Sequence, residues 1–171
     1  MPDFTARLEA EIPALRRYAR ALLRDRDRAD DLVQDCLERA IVKRGTWRRP
    51  GNLRAWLFTI MHNLHANQMR SLSRQPASVS LDQAPEQSTS ARQLETVAAN
   101  EVLAALEQLD ETQREVLVLV AVEQLRYREV AEVLDLPLGT VMSRLGRARE
   151  RLRQAMNGDA PEPKASLRRV K

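Results

Sequence analysis

The sequence predicts an all-α fold: two small helical domains joined by a flexible linker, the second containing a helix-turn-helix. Three observations carry this. Apolar residues return at steps of three and four along most of the chain, and no segment sustains a two-residue alternation. Leu, Ala, Arg and Glu dominate, while glycine numbers only five and the aromatics make up 4%, a composition of helix formers. The periodicity stops between Gln75 and Ala91, QPASVSLDQAPEQSTSA, where two prolines and five Ser or Thr stand with no Lys or Arg. The expected organisation is a first helical domain over 1–74, a linker over 75–93, a second domain over 94–156 and a disordered basic tail over 157–171.

Each element follows from its own signals. An opening helix is expected around Pro13 to Leu23, with Leu15, Ala19, Leu22 and Leu23 inward. Asp27 reads as the cap of a second helix whose apolar positions are Ala29, Leu32, Val33, Cys36, Leu37, Ala40 and Ile41. The loop KRGTWRRPGN follows, and Asn52 then caps a third helix with Leu53, Trp56, Leu57, Ile60, Met61 and Leu64 on its stripe. The three form a small bundle. In the second unit a helix runs through Leu94, Val97, Ala98, Val102, Ala105, Leu106 and Leu109. Asp110, with Gln113 three residues on, then opens the apolar run EVLVLVAV as another helix. Two short helices close the chain, Tyr127 to about Leu134 and about Leu138 to Gln154, joined by the very short turn DLP. That arrangement matches a helix-turn-helix, whose second helix enters the DNA major groove.

Composition excludes several classes. The single cysteine, Cys36, rules out an intramolecular disulfide and points to a reducing cytoplasm. No run approaches the roughly 18 apolar residues of a membrane span, and the N-terminus lacks a basic start followed by an apolar stretch. A soluble cytoplasmic protein without membrane insertion is expected. No Gly-rich phosphate loop and no nucleophile motif occurs, so no enzyme and no cofactor are expected. His62, His65 and Cys36 fall short of a four-ligand zinc set, and His65 reads as a wall residue continuing the apolar stripe.

Charge is uneven although the net is only +4. Asp27, Asp30, Asp31, Asp35 and Glu38 outnumber Arg28 and Arg39 on the second helix, which makes an acidic ridge. The last helix reverses this, with Arg144, Arg147, Arg149, Arg151 and Arg153 against the single Glu150. Arginines on an amphipathic helix are by themselves an ordinary solvated face. Their excess here, directly after so short a turn, points to DNA. Val141, Leu145, Ala148 and Leu152 form the inward stripe, so Ser143, Gly146 and Arg147 face outward with Met142 and Arg144 beside them. Arg149, Arg151 and Arg153 lie where a groove-bound helix passes phosphates, whose contacts give affinity rather than sequence choice.

From about Pro13 to Met156 the chain resembles the extracytoplasmic-function sigma factors, the two-domain bacterial proteins that direct RNA polymerase to promoters. YREVAEVLDLPLGTVMSRLGRARERL is similar to their −35-reading helix-turn-helix, ADDLVQDCLERA to their polymerase-binding helix, and LRAWLFTIMHNLHANQMR to their −10 region. The resemblance implies that Asp31, Gln34, Asp35 and Glu38 meet the clamp helices of the largest subunit of core RNA polymerase. It implies −10 DNA contacts by Trp47, Arg48, Arg49, Asn63 and Arg70. For Trp47 two readings stand side by side: stacking on an unpaired base, or packing under its loop. It implies −35 DNA contacts by Thr140, Met142, Ser143, Arg144, Arg147, Arg149 and Arg151, and an anti-sigma factor as inhibitor. The chain departs from the family pattern at Asp135, where glycine is usual, at Pro137 in place of Ser or Thr, at Met142 in place of Lys or Arg, and at Gly146. A dimeric helix-turn-helix repressor is the alternative reading, in which the acidic helix serves as dimer surface.

Overall fold

The computed structural model describes residues 3–23, 25–47, 51–74 and 105–157, and every regular element among them is helical. Helices α1 (Phe4–Leu23), α2 (Arg26–Val42) and α3 (Leu53–Arg74) form the first unit, with a 3-10 turn at Arg44–Thr46. The second unit contains α4 (Glu111–Leu117), which runs on as a π-helical turn over Val118–Val122, then α5 (Tyr127–Val133) and α6 (Leu138–Asn157). The expected linker over 75–93 and the tail beyond residue 157 lie outside the described residues, as does most of the helix expected from Leu94; residues 105–107 are helical.

Helix α1 begins nine residues before Pro13, which lies inside it. An internal proline costs a helical hydrogen bond, but this one is exposed, and the turns ahead of it are anchored by tertiary contacts. Leu8 is 5% exposed and Phe4 packs 5.9 Å from Trp47 and 6.5 Å from Trp56, ring centre to ring centre. Helix α2 is capped by Asp25 rather than Asp27: the Asp25 carboxylate accepts the Arg28 N–H at 2.9 Å. Asp27 sits instead in the first turn, where a negative charge meets the positive end of the helix dipole. Asn52 caps α3 as expected, accepting the Ala55 N–H at 3.3 Å.

Leu15, Tyr18, Leu32, Cys36, Leu57 and Met61 fill the bundle centre. Phe58, off the stripe assigned to α3, is fully buried with its ring edge-on to Tyr18 at 4.9 Å. A helix packed against two partners buries more than one stripe. Ile41, assigned to the α2 stripe, is 51% exposed, because a stripe is buried only as far as a neighbouring element reaches.

In the second unit Asp110 caps α4, accepting the Gln113 N–H and the Thr112 hydroxyl at 2.8 Å each. Burial alone would raise its pKa, but those bonds, with the charges of Arg151 and Arg144, lower it. The apolar run that follows does not stay α-helical. Glu123 N–H reaches back to the Val118 carbonyl at 3.0 Å and Leu125 N–H to that of Leu119 at 3.0 Å, with Gln124 at φ 56° closing the turn. Between α5 and α6, Asp135 takes φ 50° where the family pattern has glycine, and Leu136 N–H bonds to the Ala131 carbonyl at 2.9 Å. This is a left-handed helix stop with an aspartate in the glycine place. Pro137 stands just before α6, and its carbonyl accepts the N–H of Thr140 at 2.9 Å. Val130, Val141, Leu145 and Ala148, all at most 2% exposed, hold the two helices together.

The units pack directly on one another. Helix α1 contacts α4 and α3 contacts α5, His62 and His65 of α3 reach Glu115 and Glu111 of α4, and residues of both units such as Leu15 and Leu119 belong to one continuous buried cluster.

Candidate nucleic-acid interface

Helix α6 presents the outward face expected of it. Met142, Ser143, Gly146, Arg147 and Arg149 are exposed, and Thr140 and Arg144 are half-buried beside them. The Ser143 hydroxyl donates to the Thr140 carbonyl at 3.0 Å, which holds it against its own helix. Arg147 and Arg149 form no ion pair with a described residue. Arg151 differs: it donates to the Gln113 side chain at 3.4 Å and lies 4.0 Å from Asp110, tying α6 to the start of α4. Glu150 is engaged by Arg153 at 2.7 Å and Gln154 at 2.8 Å, hydrogen bonds that hold its carboxyl below the usual range.

Along α2, Asp31, Gln34, Asp35 and Glu38 are all exposed. Their contacts are to amides only: Gln34 donates to Glu38 at 3.1 Å, and Gln68 to Asp35 at 3.5 Å. No described Lys or Arg neutralises the three carboxylates, so the ridge presents net negative charge to solvent.

The −10 candidates are less uniform. Asn63 and Arg70 are exposed on α3, and Arg70 donates to its own helix at the Ala66 carbonyl, 3.2 Å away. Arg48 and Arg49 lie outside the described residues. Trp47 is not the exposed aromatic that base stacking asks for: it is 9% exposed, between the Phe4 ring and the Arg7 guanidinium, which lies 4.6 Å from its ring centre. The upstream turns of α1 supply this cover. Of its two readings, packing under the loop is the one seen. Trp47, Asn52 and Trp56 line one wall of a cleft of about 400 Å³, with Glu129, Glu132 and Val133 of α5 on the other.

Sequence reasoning missed the polar contacts between the units. Arg17 of α1 grips Glu123 with two hydrogen bonds of 2.9 Å, and the glutamate side chain has no exposed surface. Glu115 accepts the Tyr18 hydroxyl at 2.6 Å and lies 2.6 Å from His62 Nδ1. Burial, then the Glu115 charge, pushes the Tyr18 phenol well above its ordinary value. His65, buried as expected, pairs with Glu111 at 2.6 Å, and Asn52 donates to Glu129 at 2.7 Å. One signal was available. Glu115 and Glu123 bracket the most apolar run of the chain, EVLVLVAVE, where charges are unusual unless paired. The Cys36 thiol donates to the Leu57 carbonyl at 3.5 Å, and no metal-binding group of three or more His, Cys, Asp or Glu occurs among the described residues.

Residues 8–62, which span α1, α2 and the start of α3, match the family model described as the Sigma2 domain of PhyR. Residues 99–152, which include the helix-turn-helix, match that of Sigma-70, region 4. The ECF RNA polymerase sigma factor EcfG of Rhodopseudomonas palustris is 35% identical over 153 residues, covering 90% of this chain and 84% of that protein. The chain belongs to the extracytoplasmic-function (ECF) sigma factors of the sigma-70 family. ECF sigma factor SigM of Mycobacterium tuberculosis is 33% identical over 138 residues, 81% of this chain and 69% of its own. The fold of this ECF sigma factor is similar to that of sigma factor RpoE from Bartonella quintana, solved in complex with the anti-sigma factor NepR: TM-score 0.79, 32% identity, 94% of this chain and 100% of that one. The acidic ridge of the sigma factor falls in the segment matching Sigma2 and its arginine-rich helix in the segment matching region 4. No described helix is long and apolar enough to cross a membrane.

Proposed function

We propose that this ECF sigma factor reads promoters with two surfaces and joins polymerase with a third. As a transcription initiation factor it binds core RNA polymerase, directs it to specific promoters and promotes strand opening. Asp31, Gln34, Asp35 and Glu38 dock on the basic clamp helices of the largest subunit. Asn63, Arg70 and the loop carrying Trp47, Arg48 and Arg49 engage the −10 element. Thr140, Met142, Ser143, Arg144, Arg147, Arg149 and Arg151 engage the −35 element in the major groove. The protein performs no catalysis of its own, acts in the cytoplasm, and is held inactive by an anti-sigma factor, as RpoE is found with NepR.

The observation that carries this reading is the presence on one chain of an uncompensated acidic ridge and an outward basic recognition helix. A dimeric repressor has use for the second but not for the first. Run-off transcription with core polymerase on a promoter library tests it. Specific transcripts are expected only when the protein is added, and its binding to duplex DNA alone is expected to be weak. A protein that shifts duplex DNA by itself, yet yields no transcript with polymerase, would be the repressor.

A further inference from the structure

Met142 occupies the outward face of α6 and is 53% exposed. The contacts to α5 are complete without it, since Val141, Leu145 and Ala148 fill the inward stripe. Of its neighbours one turn away on the helix, Gly139 and Gly146 carry no side chain and Leu145 is buried, while Leu138, 39% exposed, stands at the very start of α6. A Cβ placed on either glycine would meet nothing within 4 Å. Met142 is therefore a long apolar side chain standing in a bare strip of backbone. That strip lets the helix lie deep in a groove. It also leaves Met142 as the long side chain at that level, on the N-terminal half of the recognition helix, where base edges are contacted.

The apolar group that the major groove offers is the C5-methyl of thymine. A flexible thioether adapts to such a surface, and covering it removes both from water. The geometry points to Met142 as a specificity-determining residue that covers the C5-methyl group of a thymine in the −35 element. This rests on the reading of α6 as the −35-reading helix and names one base feature it selects. Arg149, two turns further along the same side of the helix, is placed to hold a phosphate and fix the register.

The test uses holoenzyme assembled from the full chain and core polymerase. A randomised −35 region is first selected by transcription; each thymine on either strand is then replaced by deoxyuridine, which removes only the methyl group. At one thymine the replacement is expected to lower transcription about threefold to fivefold, the worth of roughly one methyl withdrawn from water. Met142→Ala should transcribe both templates equally, and Met142→Leu should keep the difference. Met142 is exposed and outside the core, so both variants are expected to melt at the wild-type temperature, which a thermal melt of each checks. Equal transcription of thymine and uracil templates by the wild type overturns the proposal. So does a penalty that persists in Met142→Ala, or a selected element without any A·T pair. Should selection return no −35 preference at all, the reading of α6 itself fails, and the assignment of Met142 with it.

Discussion

Glu115 shares one carboxylate oxygen between the Tyr18 hydroxyl and the His62 ring, each at 2.6 Å. A buried carboxylate that loses a donor bears much of its desolvation cost. Tyr18→Phe, which keeps the ring against Phe58, is expected to lower stability by about 1–3 kcal/mol in urea unfolding. A loss under 0.5 kcal/mol would mean that water replaces the hydroxyl. Cys36 gives a pH prediction. Burial, and secondarily the Asp35 charge, pushes its thiol from 9.0 up to about 12. The unfolded thiol ionises first, so the folded state binds more protons between those values and stability falls as pH rises from about 9 to 12. Unfolding of wild type and Cys36→Ala across that window checks the sign: the variant is expected to lose less stability on the way up. A steeper loss in the variant would contradict it.

At the scale of elements, the helix-turn-helix shows how far local chemistry reaches. The short turn, the inward stripe of α6 and the outward arginines were all readable, because contacts between α5 and α6 are close in sequence. The turn succeeds with Asp135 at φ 50° because aspartate visits left-handed geometry more readily than most side chains. The apolar run of α4 shows the opposite. Its spacing is helical throughout, yet a π turn interrupts it just before Glu123, whose carboxylate is bound by Arg17 of another element. The α2 ridge is a solvated face in this structure, so charge reversal there should not disturb folding. Asp31, Asp35 and Glu38 changed together to Lys are expected to abolish co-purification with core polymerase while the circular dichroism spectrum stays unchanged. Retained polymerase binding would show that the ridge is only a solvent face.

Across the whole molecule, the two units are joined by Arg17–Glu123, Tyr18–Glu115, His62–Glu115 and His65–Glu111. About 25 base pairs separate a −35 from a −10 element, and at 3.4 Å each they span roughly 85 Å. A compact chain of this length has a radius of gyration of about 15 Å, so the packed arrangement cannot touch both elements at once. If the two units read the −10 and −35 elements as proposed, promoter binding requires them to part. The paired charges of the interface suit that, because they regain water on opening, although apolar contacts between the units must part as well. Arg17→Glu sets two carboxylates against each other at a position whose side chain is 51% exposed. The expected result in small-angle scattering is a larger radius of gyration with unchanged helicity. An unchanged radius would show that the apolar contacts alone hold the units together.

The sequence by itself determined the helical class, the two segments, the caps at Asn52 and Asp110, the exposed ridge and the outward face of α6. All of these rest on local spacing and nearby partners, which a linear chain displays. Only the tertiary structure decided that Pro13 lies inside a helix, that Phe58 is core, that Trp47 is covered by Phe4 and Arg7, and that Glu115 and Glu123 bind the first unit. The partners in those contacts stand between 40 and 106 positions apart. No periodicity records which distant side chain arrives at a given face. That choice belongs to packing, where burial of an apolar surface or a paired charge outweighs the local preference of any single residue.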